Sequence, residues 1–240
     1  RPNYDSLVAF KGYDLLYGTS YSFDSATDPK VKFSIVNKET KKITSGTISI
    51  SKDVRGDNHY LTPEVTFYRK GNTVYGVIPM PESENRGSKA PSYSFVTFSV
   101  NLETGATTPA KRVKLPEELA TVAWGEAQSS RVYDPQVLLF KSMYARDEKF
   151  RLMTFDAETE KFTEITPEQG MSATHSILYT VEDKAYIALA DEVPAFTGSD
   201  TYVKASERKN NETKYYVLDS GSKKLEEAFT TETDVYAPQV

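Results

Sequence analysis

Val36-Asn37-Lys38-Glu39-Thr40-Lys41-Lys42-Ile43 decides the fold, because its pattern returns three times further along the chain. The copies are Val100-Asn101-Leu102-Glu103-Thr104-Gly105-Ala106-Thr107, Phe155-Asp156-Ala157-Glu158-Thr159-Glu160-Lys161-Phe162 and Leu218-Asp219-Ser220-Gly221-Ser222-Lys223-Lys224-Leu225. Each reads apolar, Asn or Asp, any residue, Glu or Gly, Thr or Ser, and then a return to strand. An Asn or Asp side chain bonds the backbone two residues on and tolerates the left-handed region, so it reverses the chain between two strands. The runs that lead in, such as residues 31–36 and 93–98, alternate at period two, as pleated strands do. These stretches are therefore the outer hairpins of a repeating unit.

A second signal lies upstream of the first. Tyr60-Leu61-Thr62-Pro63-Glu64-Val65, Tyr133-Asp134-Pro135-Gln136-Val137 and Tyr236-Ala237-Pro238-Gln239-Val240 resemble one another, and looser versions begin at Tyr4 and Thr174. Each predicts the start of an innermost strand, with tight turns at Lys11-Gly12, Lys70-Gly71-Asn72 and Glu182-Asp183 leading to the next strand. Two hairpins per repeat make four strands. From Asn37 to Asn101, Asp156 and Asp219 the repeat steps by 64, 55 and 63 residues. That exceeds the roughly 40 to 50 residues of common propeller blades, and the surplus falls in loops at 19–30, 79–92, 104–131 and 190–213, which are rich in Ser, Thr, Pro, Gly and charge. Helix is scarce, with one short turn predicted at Pro116-Glu117-Glu118-Leu119-Ala120.

A unit of strand, turn, strand, loop, strand, turn, strand that repeats about four times predicts an all-β fold: a β-propeller, or part of one, built from four-stranded antiparallel blades. The blades fall at about residues 4–50, 60–115, 121–170 and 174–232 of a single domain. Residues 233–240 begin a further blade or supply a closing strand. A β-sandwich also has many short strands, but it gives no reason for this unit to recur. The abundance of Tyr (16) and Phe (12) suits strands better than helices.

Composition removes several functions. A formal net charge of -5 offers no basic surface for nucleic acid. The absence of Cys removes disulfides, thiolate catalysis and Cys-based metal sites. No apolar run approaches the roughly 20 residues of a membrane-spanning helix. The chain opens at Arg1 rather than Met, from which removal of an upstream segment is expected. There is no Gly-x-Ser-x-Gly, no phosphate-binding Gly-rich loop and no HExxH.

The two His, His59 and His175, each precede an innermost strand, where one mouth of a central channel would be lined. A His pair without a third ligand at fixed spacing points to ordinary polar positions rather than a metal site, so no metal and no cofactor is expected. Asp53-Val54-Arg55-Gly56-Asp57-Asn58 has the spaced oxygens of a calcium loop without its terminal Glu, and reads as a turn. Adjacent acids such as Glu117-Glu118 and Glu226-Glu227 point to opposite faces of a strand and are expected in solvent. What remains is aromatic and cationic: Tyr60, Tyr133 and Tyr236 ahead of the innermost strands, with Arg55, Arg131 and the lone Trp124 nearby. Such groups stack on planar or sugar-like ligands and form charge-assisted hydrogen bonds with anions, although tyrosines at these places also serve to plug the ring between blades.

With its Tyr-x-Pro-x-Val lead-ins, Asp/Asn-x-x-Thr hairpins and Tyr-rich strands, the chain resembles the secreted β-propeller lipoproteins of Bacteroidota, some of which partner TonB-dependent transporters. The resemblance implies an extracellular or outer-membrane-surface protein, with periplasm as the alternative, capturing a siderophore-like or glycan-like small ligand, with such a transporter as partner. The expected function is non-catalytic binding at a propeller face through Arg55, His59, Tyr60, Trp124, Arg131, Tyr133, His175 and Tyr236. A protein-protein interaction scaffold and a propeller hydrolase or lyase are the alternatives.

Overall fold

In a computed structural model the Asn/Asp turns close as their composition demands. Asn37 Oδ1 accepts the backbone N–H groups of Glu39 and Thr40 at 3.0 and 2.9 Å, and Asn101 Oδ1 those of Glu103 and Thr104 at the same distances. Asp156 Oδ1 does the same for Glu158 and Thr159. In each copy the residue four positions on takes a left-handed backbone, Lys41 at φ 61°, Gly105 at 74° and Glu160 at 58°. One turn design is thus built three times, and only the second copy uses the residue type that adopts this region without strain.

The structure describes residues 6–20, 27–56, 65–81, 93–116, 136–141, 150–165, 176–181, 184–190, 213–218 and 224–231. Their strands form four antiparallel sheets in chain order. The first holds β1 (Ser6–Phe10), β2 (Tyr13–Ser20), β3 (Lys30–Asn37) and β4 (Ile43–Ser49). The second holds β5 (Thr66–Lys70), β6 (Thr73–Pro81), β7 (Tyr93–Asn101) and β8 (Lys111–Lys114). The third holds β9 (Gln136–Lys141), β10 (Phe150–Asp156) and β11 (Lys161–Glu164); the fourth holds β12 (Ser176–Val181), β13 (Lys184–Ala190), β14 (Thr213–Leu218) and β15 (Leu225–Thr231). Every strand pairs with its sequence neighbour, so each sheet is a simple meander, the blade of a β-propeller. A single helical turn, α1 (Lys52–Arg55), follows the first blade at a place where composition predicts only a turn. Beyond Pro116, the helical turn predicted from residue 116 lies outside the described residues.

Alternation along the strands sorts side chains onto two faces, and each face meets a different blade. Counting back from the Asn or Asp of the turn, the residue one before it faces the preceding blade and the residue two before it faces the following one. Ile35 and Phe33 of the first blade therefore pack with Val100 and Phe98 of the second, in a core that also holds Leu15, Phe67, Val74 and Ile78. On the other face of the second blade Tyr68, Val77 and Phe95 pack with Met153 and Phe155 of the third. The Phe95, Phe155 and Phe162 rings meet at 4.6–5.8 Å between centroids. Burial of both faces of β7 explains why Phe95, Val96, Phe98 and Val100 are all at most 2% exposed, each contributing about 1.5–3 kcal/mol of transfer free energy. Gly76 lies directly opposite Phe98 in the ladder. A Cβ there would sit 2.6 Å from Phe98 Cε2, so the absence of a side chain is what lets the ring lie across the strand.

In one respect the blades depart from expectation. β5 and β12 begin at the end opposite the Asn/Asp turns, since Thr66 pairs with Val77 and Ser176 with Leu189. β9 begins at the turn end: Gln136 pairs with Phe155, the residue before Asp156. Gln136–Lys141 thus lies beside the strand that enters the outer hairpin, the place β2 and β6 hold, and not in the innermost position predicted from Tyr133-Asp134-Pro135. The lead-in motif encodes a Pro before a strand, which any strand position tolerates, so it does not specify which strand follows.

Candidate functional site

β5 shows how neighbouring residues tie three blades together. Arg69 points back, donating from Nη1 to the carbonyl of Lys11 at 2.6 Å and lying 5.9 Å from the Tyr13 ring. Lys70 points forward to Glu158 at 2.8 Å and Asp156 at 3.7 Å. The preceding pair repeats the division: Phe67 packs on Tyr17, and Tyr68 stacks on Tyr75 within the forward core.

Between these forward contacts and the outer strand the second and third blades part. Thr97 pairs with Lys111, but Val100 bridges Thr107, so Thr108, Pro109 and Ala110 stand opposite only Phe98 and Ser99. That is a β-bulge at a proline, the residue that cannot supply a ladder N–H. Thr108 compensates, accepting the Ser99 N–H with its own Oγ1 at 2.8 Å and meeting the Ser99 hydroxyl at 2.9 Å. The bulge leaves an open cleft of about 450 Å³ lined by Tyr75, Thr97, Ser99, Thr108, Lys111 and Glu158, within the roughly 300–1,000 Å³ of small-molecule sites. Thr97 is 1% exposed and its hydroxyl has no hydrogen-bond partner. Lys111 is ion-paired with Glu160 across the same seam. The cleft thus combines three hydroxyl side chains and one charge of each sign with a larger apolar and aromatic surface from Tyr75, Phe98, Pro109, Ala110 and Ala157.

Of the residues predicted for a site, Arg55 alone is described. It sits in α1, which packs on β8, and it is 2% exposed, with Nη2 3.5 Å from Asp28 Oδ1. Asp28 precedes β3 and Arg55 follows β4, so the pair links two connections at the end of the first blade away from its turns. His59, Tyr60, Trp124, Arg131, Tyr133, His175 and Tyr236 lie outside the described residues. Among the described residues no three His, Asp or Glu side chains gather as ligands for a metal ion, and no helix is long and apolar enough to cross a membrane.

None of the cleft residues stands out in the sequence. Their one legible signal is length: nine residues separate Asn101 from Lys111, where five separate Asn37 from Ile43 and four separate Asp156 from Lys161.

No protein-family model and no curated protein matches the chain. Among solved structures it is similar to the β-propeller domain of the Trilobed protease from Pyrococcus furiosus, with 13% identity over 94% of this chain and 56% of that one, at a TM-score of 0.44. It is also similar to Trypanosoma rangeli sialidase in complex with the inhibitor DANA, with 13% identity over 93% and 37% and a TM-score of 0.45. A third is the polysaccharide lyase Uly1, with 14% identity over 91% and 53% and a TM-score of 0.41. The chain spans roughly half or less of the length of these structures.

Proposed function

We propose that this chain is a non-catalytic binding scaffold that captures a small, neutral, hydroxyl-rich ligand of the sugar type in the cleft between its second and third blades. The observation that carries the reading is the lining of that cleft: the Tyr75 side chain next to the Ser99 and Thr108 hydroxyls, with the Thr97 hydroxyl buried and unpartnered behind them. Aromatic faces take the apolar side of a sugar ring, and hydroxyls exchange donor and acceptor roles with those of the ligand. A polyanionic ferric chelate calls for several free cations, whereas here Lys111 is ion-paired with Glu160, and Glu158 of the lining is ion-paired with Lys70. The lining therefore favours the glycan-like ligand over the siderophore-like one. The wider proposal, capture at a cell surface for delivery to a TonB-dependent outer-membrane transporter, rests on the Tyr-x-Pro-x-Val and Asp/Asn-x-x-Thr motifs.

The test is calorimetric titration with three probes, namely neutral hexose oligosaccharides, uronate-containing oligosaccharides and a ferric tris-catecholate, followed by product analysis of each mixture. Saturable 1:1 binding of the neutral series, with the sugar recovered intact, is expected. Cleaved oligosaccharide would replace the reading with that of a hydrolase or lyase, and silence with all three probes would remove small-ligand capture.

A further inference from the structure

The seam between the first and second blades and the seam between the second and third are two copies of one design, and their differences fall at the cleft. Thr97 and Ser99 stand four and two residues before Asn101, the positions that Phe33 and Ile35 hold before Asn37. Ala157 follows Asp156 as Leu102 follows Asn101. Phe33, Ile35 and Leu102 are at most 2% exposed and pack in one core between the first two blades. Their counterparts Thr97, Ser99 and Ala157 all line the cleft. Phe155, which takes the place of Val100, is larger, but its ring packs against Phe95 and Phe162. Protein interiors are close-packed, so an opening made by three smaller side chains at equivalent positions is a built recess.

The two hydroxyl residues that replace Phe33 and Ile35 are not alike. The Ser99 hydroxyl meets Thr108 Oγ1 at 2.9 Å, and the same Thr108 oxygen accepts the Ser99 N–H at 2.8 Å. These two residues answer each other. Thr97 is 1% exposed and its Oγ1 has no hydrogen-bond partner. Its cross-strand neighbours give it none, since Val77 has no polar side-chain atom and Lys111 is ion-paired with Glu160. Native folds leave few such groups, because a buried hydroxyl without a partner costs stability. Valine has nearly the same shape and would carry no such cost.

We infer that Thr97 is the specificity-determining residue of the cleft, its hydroxyl being the partner for one hydroxyl group of the captured sugar. The inference rests on the sugar-capture reading given above. A ligand hydroxyl brought to Thr97 completes the missing hydrogen bond, whereas a deoxy or O-methylated ligand leaves that bond unmade at a desolvated position. A site built to bond a hydroxyl rejects the analogue that lacks it. Ser99 and Thr108 discriminate less, because a ligand must compete with the bond they already share. Stability of the free fold and affinity for the ligand are therefore opposed at this one position.

The experiment compares the 240-residue chain with Thr97→Val, Thr97→Ser and Pro109→Trp, by thermal unfolding without ligand and by calorimetric titration with neutral hexose oligosaccharides and their O-methylated counterparts. Thr97→Val is expected to unfold about 2–4 °C above the parent and to bind the unmodified sugar about tenfold more weakly or worse. Thr97→Ser, which keeps the hydroxyl, is expected to bind within about threefold of the parent. The parent is expected to prefer unmodified to O-methylated sugar, and Thr97→Val to lose that preference. Parent affinity in Thr97→Val overturns the inference, and if Pro109→Trp has lost binding in the same series the sugar-capture reading survives it. Equal losses in Thr97→Val and Thr97→Ser also overturn it, since they would report packing at this position and not the hydroxyl. A parent that binds no neutral oligosaccharide overturns both the inference and the reading beneath it.

Discussion

The hydroxyl of Tyr68, in the first strand of the second blade, accepts the backbone N–H of Ala157 in the third at 2.6 Å, with both residues buried. In the first two blades the corresponding N–H, that of the residue after the turn Asn, is bonded within its own blade: Lys38 donates to Gly12 at 2.9 Å and Leu102 to Asn72 at 2.7 Å. Those acceptors come from two-residue turns. In the third blade the stretch that precedes β9 lies outside the described residues, and the acceptor of the Ala157 N–H is a side chain of the neighbouring blade. Buried backbone N–H groups are nearly all hydrogen-bonded, and here the bond crosses a blade seam.

Tyr68→Phe keeps the ring and its stacking on Tyr75 but strands the Ala157 N–H. A loss of about 1–3 kcal/mol is expected in urea unfolding, the penalty of an unsatisfied buried donor. Tyr17→Phe removes a longer, partly buried bond, 3.2 Å to the Val65 carbonyl, and should lose only about 0.5–1.5 kcal/mol. Equal losses would show that the Tyr68 bond has no special place in the seam.

At the outer turns, Glu160→Gly and Lys41→Gly relieve left-handed backbone at φ 58° and 61° and should each stabilise by up to about 1 kcal/mol. Gly105→Ala should act in the opposite direction. Its φ is 74°, and an added Cβ would strike the Thr44 side chain of the preceding blade. Thermal unfolding of the three variants checks the signs.

Gly76→Ala forces a methyl group into the Phe98 ring and is expected to cost about 1–3 kcal/mol through overpacking. Phe98→Leu in the same chain opens space, so the double variant should be more stable than the sum of the single losses. A double-mutant cycle with no coupling would mean that the strand shifts and the ring does not hold it.

Thr97→Val removes a buried hydroxyl that has no partner and should raise stability by about 1 kcal/mol. Arg55→Ala should lower it by about 1–3 kcal/mol, because a 2%-exposed side chain and its Asp28 contact are both lost. If Arg55→Ala instead left stability untouched and weakened ligand binding, the residue would belong to a recognition surface.

The four-blade repeat is legible in the sequence because turn chemistry is local: Asn37, Asn101 and Asp156 each bond the two amides that their own positions dictate. The place of β9 is not legible, since Tyr133-Asp134-Pro135 says only that a strand follows. The cleft is less legible still. Thr97, Ser99 and Lys111 are common strand residues, and what brings them to one opening is a bulge in one blade facing a tight turn in the next. Arg55 has the composition of a recognition residue, but α1 turns its guanidinium inward to Asp28.

Filling the cleft gives the most direct test of the proposed function. Pro109 lines it from an exposed position, so Pro109→Trp occupies the space without disturbing either core, and calorimetric titration with neutral hexose oligosaccharides compares it with the parent. The parent is expected to bind one ligand per chain and the variant to bind at least tenfold more weakly at unchanged thermal stability. Equal affinities would place the ligand elsewhere on the protein and contradict the assignment of this cleft.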